Sequence, residues 1–102
     1  MRVIAKKHLV SFWSRHRDVE QALKAWHEEA LSANWRTPQD IKNQYRSASF
    51  VGSNRVIFNI KGNDYRLITA IAYQFGVIYI KFIGTHAQYD KVDAKTVNME
   101  FL

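Results

Sequence analysis

Two side chains in the second half of the chain, Arg66 and His86, are of types that act on phosphate groups. Arg66 stands among apolar residues, and its planar guanidinium presents a fork of donors that matches phosphate oxygens. The alternative is an ordinary surface arginine, or one paired with Asp64 or Asp90. His86 follows the last apolar run, and an imidazole there can act as a general acid or base near neutral pH. The alternative is a surface or helix-capping histidine.

Lys81 and Tyr89 are the other two candidates for a catalytic role. Lys81 interrupts the apolar run from Val77 to Ile83, and its side chain should face outward because a lysine facing the core would be costly. It can supply a point charge to a phosphate, or simply guard a sheet edge. Tyr89 lies three residues after His86, so on a helical turn the two share a face. A tyrosine there can stack on a base, take part in proton transfer, or only pack.

Three further residues are candidates for binding RNA: Asn59, Lys61 and Tyr79. An exposed strand tyrosine can stack on a base, which is worth about 1–3 kcal/mol per base, or it can fill a groove. Lys61 stands beside a turn glycine, where it can contact phosphate or remain an ordinary turn residue. Asn59 is a candidate because the expected strand pairing, described below, places it opposite Arg66.

Composition favours a polyanionic partner. The 102 residues carry 15 Lys and Arg against 9 Asp and Glu, a formal charge of +6. Among polyanionic partners, this charge favours nucleic acid most and an anionic membrane next. The length predicts one domain over residues 1–102, and a hydrophobic content of 47% argues against disorder.

Several kinds of site are excluded or poorly supported. The absence of cysteine excludes disulfides and thiolate zinc sites. His27-Glu28-Glu29 begins like a zinc-protease motif, but Leu31 stands where the second histidine would be. We therefore expect no metal and no cofactor. A metal-free group of Arg, Lys, His and Tyr suits RNA cleavage by the substrate's own 2′-OH, which needs a phosphate held, one proton taken and another given.

Hydropathy predicts no membrane partner. The longest apolar runs, Leu67 to Tyr73 and Val77 to Ile83, have the length of strands and not the ~20 residues of a membrane span. The basic residues near the N-terminus precede no apolar stretch, so we expect no secretory signal. These features, with the lack of cysteine, predict a cytoplasmic protein.

Helical periodicity governs the chain up to about residue 46. We expect a short strand or lead-in over residues 2–5, a helix over 6–16, and a second helix capped by Asp18. The apolar residues at helical spacing are Leu9, Phe12, Trp13, Val19, Leu23, Trp26 and Ala30. The segment Thr37-Pro38-Gln39-Asp40 predicts a short third helix, since it combines a capping threonine with a proline in the first turn. The first two helices should form a hairpin lying on a sheet.

Alternation with a period of two predicts four antiparallel strands in the second half. They are expected at 47–51, 55–61, 64–74 and 77–84, separated by short turns. A two-residue turn at Gly62-Asn63 would place Asn59 opposite Arg66 and Phe58 opposite Leu67. Apolar and polar side chains then fall on separate faces, which a slip of one residue would destroy.

A second turn, at Phe75-Gly76, would bring the remaining candidates onto the polar face. In that register Thr69 lies opposite Phe82, with both side chains toward the core, and Arg66 lies opposite Thr85. The side chains expected to converge on the polar face are Asn59, Arg66, Lys81 and His86.

A long run of the second half resembles the HigB toxins, which belong to type II toxin–antitoxin modules within the RelE-like superfamily. The run is FNIKGNDYRLITAIAYQFGVIYIKFIGTHAQYDKVDA, from Phe58 to Ala94. Its characteristic segments are Gly-Asn-x-Tyr-Arg-Leu, Tyr-Ile-Lys-Phe-Ile and Gly-Thr-His-x-x-Tyr-Asp, and the earlier Thr-Pro-x-Asp-Ile-Lys stretch also fits. With the helical N-terminal third, the resemblance covers most of the chain.

The resemblance implies a fold, an activity and a partner. The fold is α+β, with N-terminal helices packed on a twisted antiparallel sheet. The activity is ribosome-dependent and metal-independent cleavage of mRNA, leaving a 2′,3′-cyclic or 3′-phosphate and a 5′-hydroxyl. The partner is a HigA-like antitoxin with a helix-turn-helix domain, so that operator DNA is contacted only through the complex.

Roles carry over residue by residue. Arg66 aligns with the mid-strand arginine that RelE-like toxins use on the scissile phosphate. Tyr89 aligns with a tyrosine that in some relatives stacks on substrate or transfers a proton, and His86 belongs to the Thr-His motif of this branch. Lys81 stands where relatives often carry arginine, and Lys61 falls near lysines that some relatives use.

Two alternatives to an mRNA-cleaving toxin remain at the level of sequence. One is a non-catalytic toxin of the same fold, for example one that poisons gyrase. The other is a basic module that binds RNA or the ribosome without chemistry. The aromatic residues of the helical part, such as Trp13 and Trp35, can belong to a partner interface instead of the core.

Overall fold

The computed structural model describes residues 1–99 and has an α+β architecture, as expected. Its helices are α1 (Lys6–Arg15), α2 (Glu20–Ser32), α3 (Pro38–Gln44) and α4 (His86–Tyr89). Its strands are β1 (Arg2–Ile4), β2 (Ser49–Val51), β3 (Arg55–Ile60), β4 (Tyr65–Ala72) and β5 (Val77–Thr85). The strands lie in one five-stranded sheet in the order β1-β5-β4-β3-β2.

The sheet is mixed and not wholly antiparallel, which corrects one part of the expected fold. Strands β2 to β5 pair antiparallel, as short turns between them require. Strand β1 pairs parallel to β5. No hairpin joins these two strands, because helices α1 to α3 and strands β2 to β4 lie between them in the chain. Their relative direction is therefore not fixed by a tight turn.

The hairpin of β3 and β4 has the predicted register. Asn59 pairs with Arg66, and Phe58 pairs with Leu67. Lys61 and Gly62 in the turn have φ angles of 53° and 64°, the left-handed conformation that glycine adopts without steric cost. One face therefore carries apolar side chains toward the helices, and the opposite face carries Asn59 and Arg66.

The predicted register of the next hairpin was wrong by two residues. The connection takes up Tyr73–Phe75 as a 3-10 turn and ends at Gly76, whose φ of 65° is also left-handed. The loop is thus longer than a two-residue turn, and Thr69 pairs with Ile80 instead of Phe82. A shift of two residues preserves the faces, so this part of the core is apolar in either register.

A β-bulge then shifts the register at the end of β5 back by one residue, so that it differs from the predicted register by one residue instead of two. Thr69 pairs with Ile80 but Ile68 pairs with Phe82, which leaves Lys81 as the extra residue. Beyond the bulge Phe82 lies on the face opposite the helices, and Arg66 lies opposite Gly84 and not Thr85. The expectation that Phe82 faces the helical core was therefore wrong.

The helix starts follow the expectation in one case and depart from it in another. Thr37 caps α3 through a capping box with Asp40, as predicted. Asp18 does not cap α2, because the chain makes a 3-10 turn over Arg17–Val19 and the residue at the N-cap is Val19, which provides no side-chain cap. The Asp18 carboxylate instead accepts a hydrogen bond from the Tyr65 hydroxyl at 2.7 Å.

The main core lies between the helices and one face of the sheet. Trp13 and Trp35 are only 8% and 3% exposed, so within this chain they are core residues. The other face of the sheet, called here the second face, carries Asn59 and Arg66 at one end and a smaller apolar cluster beside them. The members of that cluster are Ile57, Ile68, Phe82 and Val97. The C-terminal segment, residues 90–99, supplies Val97 and covers this part of the second face.

Candidate functional site

Arg66 lies near the start of β4, and its guanidinium is held by its own hairpin. Nη1 donates to the carbonyl oxygens of Asn63 at 3.1 Å and Tyr65 at 3.2 Å, and Nη2 donates to Oδ1 of Asn63 at 2.6 Å. The residue is 8% exposed. The left-handed turn brings Asn63 back toward the strand, so the turn sequence itself fixes the direction of the guanidinium.

The charge of Arg66 has no carboxylate partner among residues 1–99. Neither of the aspartates considered from sequence, Asp64 and Asp90, lies within salt-bridge distance of it. A guanidinium has five N–H donors, and the hydrogen bonds above use three of them. Two donors are therefore without a partner in the described part of the chain, which suits them to an anion.

His86 is the first residue of α4 and is tied to the same hairpin turn. Its backbone N–H donates to the Asp64 carbonyl oxygen at 3.0 Å. The helix begins there because Thr85 and Gln88 form a capping box, each bonding the backbone N–H of the other at 2.9–3.1 Å. The sequence thus places the imidazole beside the turn that holds Arg66.

The imidazole of His86 is oriented by Asp90. Nδ1 lies 3.2 Å from Oδ2 of Asp90, one helical turn later, and the imidazole side chain is 45% exposed. An ionised carboxylate only accepts hydrogen bonds, so Nδ1 carries the proton in this contact. In the neutral ring Nε2 then has a free lone pair, as a general base requires.

Tyr89 lies between the arginine and the histidine. The guanidinium carbon of Arg66 is 5.7 Å from the centre of the tyrosine ring, within the range of a cation–π contact. The His86 ring is 6.4 Å away on an edge-to-face geometry. Asn63, Arg66, His86, Tyr89 and Asp90 therefore form one group of side chains, called here the Arg66 site.

Asn59 and Lys61 have different positions relative to this site. Asn59 pairs with Arg66 across the strands and is half-buried beside it on the second face. Lys61 extends toward the helical side, where Nζ lies 3.1 Å from Oδ2 of Asp18. The Tyr65 hydroxyl and Lys61 lower the pKa of Asp18, and the same carboxylate raises the pKa of Tyr65 to about 12.

Tyr79 and Lys81 form a separate pair at the other end of the second face. Lys81 Nζ lies 5.5 Å from the centre of the Tyr79 ring. Tyr79 pairs with Ala70, four residues along β4 from Arg66, a separation of about 13 Å at ~3.3 Å per residue. The apolar cluster with Ile68 at its middle lies between the two groups. The predicted convergence thus brings Asn59, Arg66 and the start of α4 together, whereas Lys81 lies on the same face but beside Tyr79, beyond Ile68 and Phe82.

Two residues that matter to this face were not singled out from sequence. Asn63 holds Arg66, and its place directly after a turn glycine was a usable signal for a side chain that folds back. Arg55 is buried, and its Nη1 donates to the carbonyl oxygens of Ala94 at 3.1 Å and Val97 at 2.6 Å. Burial lowers the pKa of Arg55. Alternation put Arg55 on the same face as Asn59, but nothing in the aperiodic C-terminal segment indicated what it would bind.

Two negative observations apply to the described part of the chain. Across residues 1–99, His, Asp and Glu side chains nowhere gather in threes that could hold a metal ion. Over the same range, every helix is too short or too polar to cross a lipid bilayer.

Comparison with protein families gives a match. A profile for the HigB_toxin family, described as a RelE-like toxic component of a toxin-antitoxin system, matches residues 19–92. That range includes all seven candidate residues named from the sequence. Comparison with curated proteins finds no match. Since the family profile spans well over half of the 102 residues and the fold is the one expected, the chain belongs to the HigB family of RelE-like toxins.

Proposed function

We propose that this toxin is a ribosome-dependent endoribonuclease that cleaves translated mRNA and so inhibits translation. The observation that carries the proposal is the Arg66 site, in which an arginine without a described carboxylate partner meets a histidine oriented by an aspartate. Such a group can hold a phosphate and move protons, which is sufficient for cleavage by the substrate's own 2′-OH.

The proposed reaction is an internal transfer of the phosphoryl group. The 2′-oxygen of one nucleotide bonds to the adjacent phosphorus while the bond from that phosphorus to the next 5′-oxygen breaks. Nε2 of His86 takes the proton from the 2′-OH, and the hydroxyl of Tyr89 gives a proton to the departing 5′-oxygen. The products are a 2′,3′-cyclic phosphate and a 5′-hydroxyl, and the step needs no cofactor.

Arg66 has an electrostatic role in this scheme. Negative charge grows on the non-bridging phosphate oxygens as the phosphorus becomes five-coordinate, and a fixed guanidinium stabilises that charge without having to reorganise. The hydrogen bonds that the guanidinium donates to Asn63 and Tyr65 hold it in place, and its two remaining donors can point at the phosphate.

The other candidates are assigned to binding the RNA on either side of the scissile bond. Asn59 lies beside Arg66 and can donate to the sugar-phosphate backbone. Lys81 can take a phosphate, and the half-exposed ring of Tyr79, about 13 Å from Arg66 along the sheet, can take a stacked base further along the strand. Lys61 would have to exchange its contact with Asp18 for a phosphate.

The partners follow from the same proposal. A toxin of a toxin–antitoxin system has an antitoxin, and we propose a HigA-like protein with a helix-turn-helix domain, through which alone the complex would contact operator DNA. The further partners are mRNA and the ribosome, and the site of action is the cytoplasm. The net charge of +6 supports binding to a polyanion.

The test is to map new mRNA ends after brief induction of the toxin. Primer extension on a translated reporter should show new 5′ ends inside codons for the wild type, and none on an untranslated copy of the reporter. His86→Ala should reduce cleavage by about 10²–10⁴-fold, the usual contribution of a general base. His86 is a suitable site because nearly half of its side chain is solvent-exposed and its loss should not unfold the chain.

A matched control removes a different exposed side chain. Arg46→Ala takes a solvent-exposed arginine from the segment after α3, far along the chain from the site, and should cleave like the wild type. Growth arrest without new 5′ ends would contradict the proposal. So would undiminished cleavage by a folded His86→Ala protein.

The burial of Arg66 favours one second candidate, a non-catalytic toxin. All three hydrogen bonds of the guanidinium are made within its own hairpin, which is also how a purely structural arginine would be held. Such a toxin would act by binding RNA, the ribosome or an enzyme such as gyrase. Gyrase poisoning would induce the DNA-repair response, whereas mRNA cleavage removes translation first.

A further inference from the structure

One edge of strand β5 is unpaired over its second half. Strand β1 pairs with β5 only at Val77, Ile78 and Tyr79, and no other strand among residues 1–99 continues the ladder beyond them. The part of β5 from Ile80 to Thr85 therefore presents its outer edge to the groove between α1 and the C-terminal segment. An open strand edge carries regularly spaced backbone donors and acceptors that can pair with another chain.

Side chains, and not a strand, occupy the backbone donors at this edge. The Ile83 N–H donates to the sulfur of Met99 at 3.3 Å, and the Thr85 N–H donates to Oε1 of Gln88 at 2.9 Å. A thioether is a weak acceptor, and a carbonyl oxygen from an added strand would be a stronger one. The N–H groups at this edge are thus bonded to side-chain acceptors, which the carbonyl oxygens of an added peptide can displace.

A cavity of about 460 Å³ lies against the same edge. This volume is in the range of sites that hold a ligand, about 300–1,000 Å³. Its apolar wall is formed by side chains from α1, β5 and the C-terminal segment, namely Phe12, Phe82, Ile83, Val92 and Met99. An apolar side chain of an incoming segment would fill it.

The rim of this cavity is basic. Arg15 from α1 and Lys91 from the C-terminal segment stand on opposite sides, and both are exposed. His16 also lines it, and none of its lining residues is a carboxylate. Charge complementarity therefore favours an acidic occupant.

We propose that this β5 groove binds an extended acidic peptide segment of a partner protein by adding it as a strand to the edge of β5. Backbone groups of the segment pair with Ile83 and Thr85, an apolar side chain enters the cavity, and acidic side chains face Arg15 and Lys91. The groove is distinct from the Arg66 site on the second face, and the proposal does not depend on nuclease activity.

The test titrates the ¹⁵N-labelled full chain with a defined peptide and follows its amide resonances. The probe is the capped peptide Glu-Leu-Glu-Leu-Glu-Leu-Glu, and two relatives of it are compared. In one, lysine replaces glutamate; in the other, each leucine is N-methylated, which keeps the side chain but removes the N–H needed for a ladder. We expect saturable shifts at the Ile83 and Thr85 amides with the first peptide, and weak or no binding of the other two.

Charge-reversal variants test the rim. The double variant Arg15→Glu and Lys91→Glu should bind the acidic peptide roughly tenfold or more weakly, because like charges then face the peptide. The matched control is Arg36→Glu with Arg46→Glu, two exposed arginines outside the groove that give the same net charge. This control should bind within about twofold of the wild type, since charges beyond a Debye length are largely screened.

Four results would overturn the proposal. They are the absence of saturable shifts at the two amides, equal weakening by the control variant, equal binding of the N-methylated peptide, and stronger perturbation of the same amides by a short uridine oligonucleotide. The last would assign the groove to nucleic acid. Each of these results is independent of whether the toxin cleaves mRNA.

Discussion

Arg55→Met should detach the C-terminal segment from the second face of the sheet. The guanidinium of Arg55 reaches across from the start of β3 and is bonded to the carbonyl oxygens of Ala94 and Val97. Methionine retains an unbranched apolar stem of similar reach but has no donor. The substitution therefore removes the two hydrogen bonds while leaving most of the packing in place.

The magnitude follows from the two hydrogen bonds and the burial of the charge. Hydrogen bonds to a charged group contribute about 1.5–3 kcal/mol each, and the Val97 carbonyl oxygen would be left buried without this donor. Against this, the wild type has to desolvate a guanidinium, as the lowered pKa of Arg55 indicates. We expect a net loss of about 2 kcal/mol in the free energy of unfolding, which for a domain of this size lowers Tm by roughly 10 °C.

Two measurements separate local detachment from global destabilisation. Urea unfolding gives the free energy, and hydrogen exchange of the Thr96 and Val97 amides reports the segment itself, since both donate to the Asp93 carbonyl oxygen. Exchange at these amides should accelerate more than exchange in β4. Arg46→Met, at an exposed arginine, should change the free energy by less than about 0.5 kcal/mol.

A clear result would refute this reasoning. If Arg55→Met is as stable as the wild type and its C-terminal amides exchange no faster, then desolvation of the guanidinium cancels its hydrogen bonds and the segment is held by apolar contacts alone. Arg55→Lys distinguishes the two contributions, because it keeps the charge but is too compact to bond both carbonyl oxygens as a fork does.

Three further outcomes are expected. Asp90→Asn should lower cleavage in the reporter assay by about tenfold or more while leaving Tm unchanged, because the amide no longer fixes the His86 tautomer; full activity would remove Asp90 from the site. Asp18→Asn should lower Tm at pH 7, and the difference from the wild type should vanish as the pH falls well below 3.8, since a carboxylate with a lowered pKa stabilises the fold only while ionised; a difference that persists at low pH in thermal melts would contradict this. Gly84→Ala should destabilise by about 1–3 kcal/mol in urea unfolding, because its Cβ would lie 2.6 Å from a buried phenylalanine ring, whereas Gly52→Ala, with no atom within 4 Å, should be neutral.

The first hairpin was predictable because two independent signals agreed. The Gly62-Asn63 turn and the separation of apolar from polar side chains both select the pairing of Asn59 with Arg66, and a slip of one residue would bury Arg66 against the helices. The same local signals placed Thr37 at the start of α3. Where turn chemistry and periodicity coincide, the sequence determines both the element and its register.

The register of the second hairpin was harder to predict, because a slip of two residues leaves every side chain on the same face of the sheet. Isoleucines stand at 71, 78 and 80, so an apolar core results whether Ile71 pairs with Ile80 or, as in the structure, with Ile78. The length of the loop decided between them, and the 3-10 turn that fills it has no strong sequence signal.

Contacts made by irregular segments were the least predictable. Asp18 bonds the Tyr65 hydroxyl from a 3-10 turn, and Arg55 bonds carbonyl oxygens of a coil. In each contact one of the two residues lies outside the periodic elements, so neither spacing nor alternation indicates the contact. These contacts determine which charged side chains near the candidate site already have a partner. Arg66 has no carboxylate partner among residues 1–99.

The bulge at Lys81 adds to the separation of the candidate residues into two groups. Without it, the alternation of β5 would carry Phe82 into the helical core and place Ile83 on the second face, opposite Arg66. The one extra residue exchanges the faces, so that Ile83 enters the core and Phe82 joins Ile68 on the second face. An apolar row thus separates the Tyr79–Lys81 pair from the Arg66 site, and an RNA strand that uses both groups has to cross this row. The bulge therefore contributes to the spacing between the proposed site of cleavage and the proposed contact further along the RNA.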